Sequence, residues 1–165
     1  MTARLGSAAA AKALARMAGP AGVNAGLAAL SQADSGSTGT LSLEHIRAQN
    51  VAADLAERSG AVQYPAANIY CHRLVNELKE KFRRFSGKAL LAVEVRHSQD
   101  RLEGLEPGLQ LCVDAVAQVL DASRGDWGDG MFYGGGYEVA FGPVKHGGRN
   151  FLQSATVTFA VEISK

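Results

Sequence analysis

The stretch Tyr137–Ile163, YEVAFGPVKHGGRNFLQSATVTFAVEI, decides the fold. Phe151, Gln153, Ala155, Val157, Phe159, Val161 and Ile163 point one way, and Leu152, Ser154, Thr156, Thr158, Ala160 and Glu162 point the other. Upstream, Tyr137, Val139 and Phe141 alternate with Glu138 and Ala140. Between the two runs lies KHGGRN, where Gly147-Gly148 can take positive φ at both positions of a tight turn. The pattern predicts a long C-terminal β-hairpin. Its last strand alternates for about 13 residues, roughly 43 Å at ~3.3 Å per residue, against ~5–6 residues for an ordinary strand. Such a strand either bends strongly or carries its hairpin end beyond the domain. A projecting hairpin has unpaired edges, which a neighbouring subunit can cover by strand addition. In a head-to-tail arrangement that makes a closed ring when the rotation closes.

The elements before the hairpin follow from period and punctuation. Leu91, Val93 and Val95 alternate with Ala92, Glu94 and Arg96, a strand with one face in the core. Pro107 opens a helix whose apolar side is Leu109, Cys112 or Val113, Val116 and Leu120, ended by Gly125. Ala66–Cys71, short and apolar after Pro65, reads as a strand. Leu74, Leu78, Phe82 and Phe85 recur at spacings of four, four and three, which predicts a helix stopped by Gly87. Lys81, Arg83 and Arg84 crowd its last turns, where cations suit the helix dipole. The order from residue 65 is therefore β-α-β-α-β-β. This is an α/β (α+β) fold with a mixed sheet covered by helices on one face, the other face meeting water or a partner.

Further upstream, Ser42 caps a predicted helix to about Arg58, with Leu43, Ile46, Val51 and Leu55 as its apolar side and Ser59-Gly60 as its end. Ser31–Thr40 reads as a loop. Thr2–Ala18 and Val23–Leu30 are Ala-rich short helices separated by Gly19, Pro20 and Gly22. Residues 1–22 are expected to form a mobile N-terminal segment, and residues 23–165 a single domain. The 165 residues, 47% hydrophobic and 20% charged, can bury a core without staples. A net charge of +1 gives no global footprint for nucleic acid or membrane. Lys12 and Arg16 interrupt what would be the apolar core of a signal peptide, and no run of ~18 apolar residues predicts a membrane span.

Residues 125–151 hold nine of the 19 glycines. A phosphate loop of GxxxxGK[ST] type fails, because Gly142 precedes Pro143 and Lys145 precedes His146. A dinucleotide fingerprint fails too: Val139 stands where the third glycine belongs, and a strand follows instead of a helix. Cys71 and Cys112 lack CxxC spacing and read as reduced, buried thiols. No histidine or cysteine pair has metal-ligand spacing, and Asp126 and Asp129 in GDWGDG read as a turn cluster rather than a cation loop. The run KEKFRRFSGK, Lys79–Lys88, puts Phe82 and Phe85 on a core face and its charges on a solvated rim or subunit contact. No catalytic constellation, cofactor site or metal site is expected. GDWGDGMFYGGG reads instead as an aromatic-studded loop leading out of a helix. Interface residues are expected there, at Trp127, Phe132 and Tyr133, and at the hairpin tip, at Lys145, His146 and Arg149.

The runs AQNVAADLAERSGAVQYPAANIYC (Ala48–Cys71), EKFRRFSG, AVEVRHSQDRLEGLE, GDWGDGMFYGGGYEVAFGPVKHGGRNFLQ and TVTFAVEIS resemble the tail terminator, or tail-completion, proteins of long-tailed bacteriophages. The resemblance covers roughly Val23–Ile163. It implies an α/β subunit of a hexameric ring that sits on the tail tube, stops its polymerisation and presents a surface to the head–neck connector or stopper protein. It also implies a place in the virion tail–neck region after assembly in the host cytoplasm, with DNA only as passing cargo in the lumen and no membrane partner. The family brings no catalytic residues. The alternatives are another neck component, such as a head-completion or stopper protein, and an enzyme, a small hydrolase or nucleotide-binding protein.

Overall fold

The computed structural model describes residues 4–33, 41–52 and 63–165. Their order is α1 (Leu5–Met17), α2 (Val23–Ala33), β1 (His45–Arg47), β2 (Ala66–Asn76), β3 (Ser86–Gln99), α3 (Leu105–Ala122), β4 (Gly125–Gly128), β5 (Met131–Tyr133), β6 (Glu138–Phe141), β7 (Lys145–Gly147) and β8 (Asn150–Ser164). The fold is α+β, with a mixed sheet ordered β1-β2-β3-β8-β5-β4. β1 pairs parallel to β2, and the other pairings are antiparallel.

β8 is the spine. Fourteen residue pairs join it to β3, from Ser86↔Ser164 to Gln99↔Phe151. Its other edge takes three partners in turn: β7 near the turn, β6 at Ala155–Thr158, and β5 at Glu162–Ile163. The expected hairpin is therefore present, but it does not project alone. β3 accompanies β8 to within one residue of the turn and covers that edge. The turn itself is Gly148–Arg149, closed by Gly147 opposite Asn150, one residue later than the predicted Gly147-Gly148. Gly148 has φ +78°, the left-handed region that glycine reaches without a Cβ clash.

The period-two reading of β8 describes one face of the sheet. Gln153, Ala155, Val157, Phe159, Val161 and Ile163 are buried beside Ala89, Leu91, Val93, Val95 and His97 of β3. α3 lies on β3 and β8 and buries Leu105, Leu109, Cys112, Val113, Val116, Val119 and Leu120. α1 lies on β2 and β3 and buries Ala9, Ala10, Ala13 and Met17. Its small residues allow close approach: a Cβ on Gly6 would stand 3.1 Å from Cys71 Cβ and Sγ. Residues 5–17 thus share one core with the rest of the chain, and the expected division at residue 22 is no break in packing. The opposite face is not simply open. Ala66, Asn68, Ala92 and Arg96 are buried there, with Arg96 donating to the Val51 carbonyl and Gln49 to Asn68 Oδ1.

Three predicted elements need correction. The helix expected over Leu74–Phe85 is absent. β2 runs on to Asn76, and residues 77–85 form the loop that returns the chain into β3. Within the helix expected from Ser42 to Arg58, residues 45–47 are strand β1, paired to Ala66–Asn68; residues 53–58 and the predicted stop at Ser59-Gly60 lie outside the described residues. The loop expected over Ser31–Thr40 begins later, because α2 continues to Ala33; residues 34–40 are outside the described residues.

Candidate interaction surfaces

The six expected interface residues fall into two groups. Trp127 and Tyr133 are in the core of the chain itself, 5% and 0% exposed, so neither reaches a partner directly. Their rings lie 5.6 Å apart and both contact Phe159, at 6.2 and 5.4 Å. The indole Nε1 donates to the Ser123 carbonyl at 2.7 Å, and the Tyr133 hydroxyl donates to the Gly136 carbonyl at 3.1 Å. The predicted aromatic loop is instead a small hairpin, β4–β5, whose turn residues Gly128, Asp129 and Gly130 all have positive φ. α1 clamps that turn. Lys12 Nζ donates to the Trp127 carbonyl and pairs with Asp129, each at 2.9 Å, and the Arg16 guanidinium stacks 4.2 Å from the indole centre. Lys12 and Arg16 thus tie the N-terminal helix to the sheet's far edge. Phe132, between the two buried aromatics, is turned outward and half exposed opposite Glu162.

Lys145, His146 and Arg149 are all exposed at the hairpin turn. The His146 ring meets Phe151 edge-on at 5.1 Å, which fixes the ring on the strand surface. Phe141 and Val144 are exposed nearby. No carboxylate side chain occurs between Glu138 and Glu162, so the hairpin turn itself carries positive charge beside apolar surface, while the exposed Asp100 follows β3 at the same end of the sheet.

At the other end of β8 lies the loop 77–85, where period-four spacing misled. Leu78 and Phe82 have φ of +50° and +70°, and Phe82 is wholly exposed. Bulky residues in the left-handed region cost roughly 1–2 kcal/mol each. The loop is held there by its neighbours. Asn76 Oδ1 accepts from the Leu78 and Ser86 amides, Asn76 Nδ2 donates to the Arg84 carbonyl, and the Glu80 amide donates to Ser86 Oγ. The Phe85 and Lys165 backbones exchange hydrogen bonds of 2.8 and 2.7 Å. Gly87 completes the junction, since a Cβ there would collide with the Val75 carbonyl. The sequence signal for this arrangement was the Asn76…Ser86-Gly87 set, which brackets the charged run.

A cavity of about 700 Å³ opens between the start of α1, residues 48–50 and β2. Its reactive side chain is Cys71, and burial pushes that thiol up, away from the reactive thiolate. Cys112 is fully buried and pushed up to about 12 for the same reason. Among the described residues no group of three His, Cys, Asp or Glu could hold a metal ion, and no helix is long and apolar enough to cross a membrane. His97 and Gln153 face each other across β3 and β8, buried, with His97 Nδ1 and Gln153 Oε1 lacking partners among the described residues. The geometry assembles exposed charged and apolar ends on a rigid sheet. No protein-family model matches the chain, and no curated protein matches it either.

Proposed function

We propose that the chain is a structural assembly subunit, a ring-forming tail terminator that caps a phage tail tube, stops its polymerisation and offers a surface to the head–neck connector or stopper protein. The observation that supports an assembly role is the sheet with two presenting ends. One is the basic hairpin turn of Lys145, His146 and Arg149; the other holds the exposed Phe82, Leu78 and Phe132. Large exposed aromatics beside charges are what protein interfaces use as anchors. The phage, the tube and the six-fold ring rest on the resemblance of the runs quoted above. In this reading the ring lumen passes DNA, and the particle contains the protein at the tail–neck junction.

The test is electron microscopy of particles from a phage carrying the gene and from its deletion. A terminator predicts six-fold rings at the head-proximal end of the tail and overlong tails in the deletion. Tails of normal length with leaking heads would instead identify a stopper or head-completion protein.

A further inference from the structure

We propose that the loop 77–85 docks an acidic segment of a different protein, with Phe82 as the apolar anchor and Lys81 and Arg84 as the cations beside it. The inference names the chemistry of the partner at one presenting end of the sheet. It does not depend on the phage, tube or ring reading.

Backbone strain is the first support. Among the described residues three side-chain-bearing positions have positive φ: Leu78, Phe82 and Asp129. Aspartate tolerates that region, whereas a bulky leucine or phenylalanine there is an outlier. Such residues persist only where their surroundings over-determine them, and they cluster at ligand clamps and switch regions. Here the surroundings are the hydrogen bonds of Asn76 and Ser86. Their effect is to hold Phe82 wholly in solvent and Leu78 largely so. Neither side chain contributes burial to its own chain, so nothing in the monomer's core accounts for the strain. A loop already fixed in this way loses little freedom when it docks.

Charge and apolarity together select the occupant. The carboxylates at this end of the sheet are engaged. Glu77 pairs with Lys79 and Lys88, and Glu80 meets Arg83 and accepts from Ser164 Oγ. Glu162 lies opposite Lys88 across β3 and β8 and attracts Lys79, Asp129 pairs with Lys12, and Asp126 accepts from the Gly128 amide. The base of the loop is therefore close to balanced. Lys81 and Arg84, on either side of Phe82 at the tip, are exposed and belong to no ion pair among the described residues. A nucleic-acid duplex would meet the two cations but offers its phosphates nothing apolar for Phe82 and Leu78, and the net charge of +1 adds no general attraction. An anionic lipid surface is recognised by clusters of about 4–8 cations, more than the tip leaves free. A second copy does not supply the complement either, because the far end of the sheet sets Lys145, His146 and Arg149 beside Asp100. An acidic segment with an apolar side chain satisfies both features: its carboxylates meet Lys81 and Arg84, and its apolar group covers Phe82.

The experiment is selection of a displayed library of random short peptides on the immobilised full chain, followed by fluorescence anisotropy of the selected peptides in solution. Enriched peptides should carry several Asp or Glu around an aromatic residue or Leu, and added salt should weaken their binding. Phe82→Ser, and separately Lys81→Glu with Arg84→Glu, should each weaken binding by about tenfold or more while circular dichroism shows the fold intact. Lys81→Ala takes the place of the double variant if that one fails to fold. Lys145→Ser with Arg149→Ser, at the opposite end of the sheet, should bind as the wild type does. No enrichment overturns the proposal, as do enriched peptides without acidic residues or equal binding to the folded loop variants. Binding of a duplex oligonucleotide or of phosphatidylserine vesicles that depends on Lys81 and Arg84 would give the loop another occupant and overturn it too. So would self-association, seen by analytical ultracentrifugation, that Phe82→Ser abolishes. Overlong tails in the deletion phage together with a failed selection would leave the terminator reading standing and remove this surface. Normal tails with a selected acidic peptide would do the reverse.

Discussion

At the scale of single residues, Trp127 shows how a side chain's role depends on what lies behind it. An aromatic between two aspartates and three glycines reads as a surface anchor, because nothing in GDWGDG reveals the Phe159 and Arg16 that enclose it. Those partners are 32 residues downstream and 111 upstream by the numbering, beyond the reach of local pattern. Trp127→Ala should therefore act on folding, not only on assembly. Removing a buried indole with its hydrogen bond should destabilise the monomer by about 3–5 kcal/mol in urea unfolding. A variant as stable as the wild type would return Trp127 to the surface. His97 gives a second test. It is 7% exposed, and burial depresses its pKa below the ordinary 6.5. The unfolded chain then binds the proton more readily than the folded one, so stability is full above about pH 6.5 and falls as pH drops toward the folded value. His97→Gln should flatten the urea midpoint between about pH 7 and about pH 5. An unchanged slope would mean that His97 titrates alike in both states.

At the scale of elements, legibility tracked the length of the pattern. Thirteen alternating positions in Phe151–Ile163 leave one interpretation, and the strand, its partner β3 and the helix after Pro107 all stand where expected. Four apolar positions in Leu74–Phe85 do not suffice. Leu74 lies within strand β2, Leu78 and Phe82 point into solvent, and only Phe85 packs partly on the core. The charged run has helix-forming residues, but antiparallel pairing of β2 with β3 needs a reversal there, and tertiary pairing outweighs a propensity of a few tenths of a kcal/mol per residue. The packing of α1 is hard to read from sequence for a related reason: alanines bury little area each, yet a stripe of them lets the helix approach the sheet closely. The loop's conformation should depend on Asn76. Asn76→Ala removes three hydrogen bonds at one side chain and should cost about 1–3 kcal/mol. Trypsin should then cut between Lys79 and Arg84 several-fold faster, while β3 and β8 keep their amide protection. Equal cutting rates would show that the backbone bonds to Lys165 suffice to hold the loop.

At the scale of the whole molecule, the sheet makes the two ends of β8 mechanically continuous. A load on the hairpin turn passes along 14 residue pairs of β3 and β8 to the loop 77–85, with α3 bracing both strands. Such a subunit can join neighbours at its ends without rearranging its core, which suits a part that must fit a ring or a tube of fixed geometry. The hairpin turn is the place to separate folding from attachment, because its charged side chains are exposed and contribute little to the monomer. Replacing Lys145, His146 and Arg149 together by Ser should leave the thermal midpoint within about 2 °C of the wild type, as expected for surface substitutions outside the core. If the turn meets an acidic partner, the same variant should bind tails or rings about tenfold more weakly, with a shallower salt dependence, since lost charge complementarity acts mainly on encounter and rim contacts. Pelleting of the variant with tails from the deletion phage, across a salt series, reads both quantities at once. Wild-type pelleting at every salt concentration would assign the turn to solvent and leave the opposite end of β8 as the attachment surface.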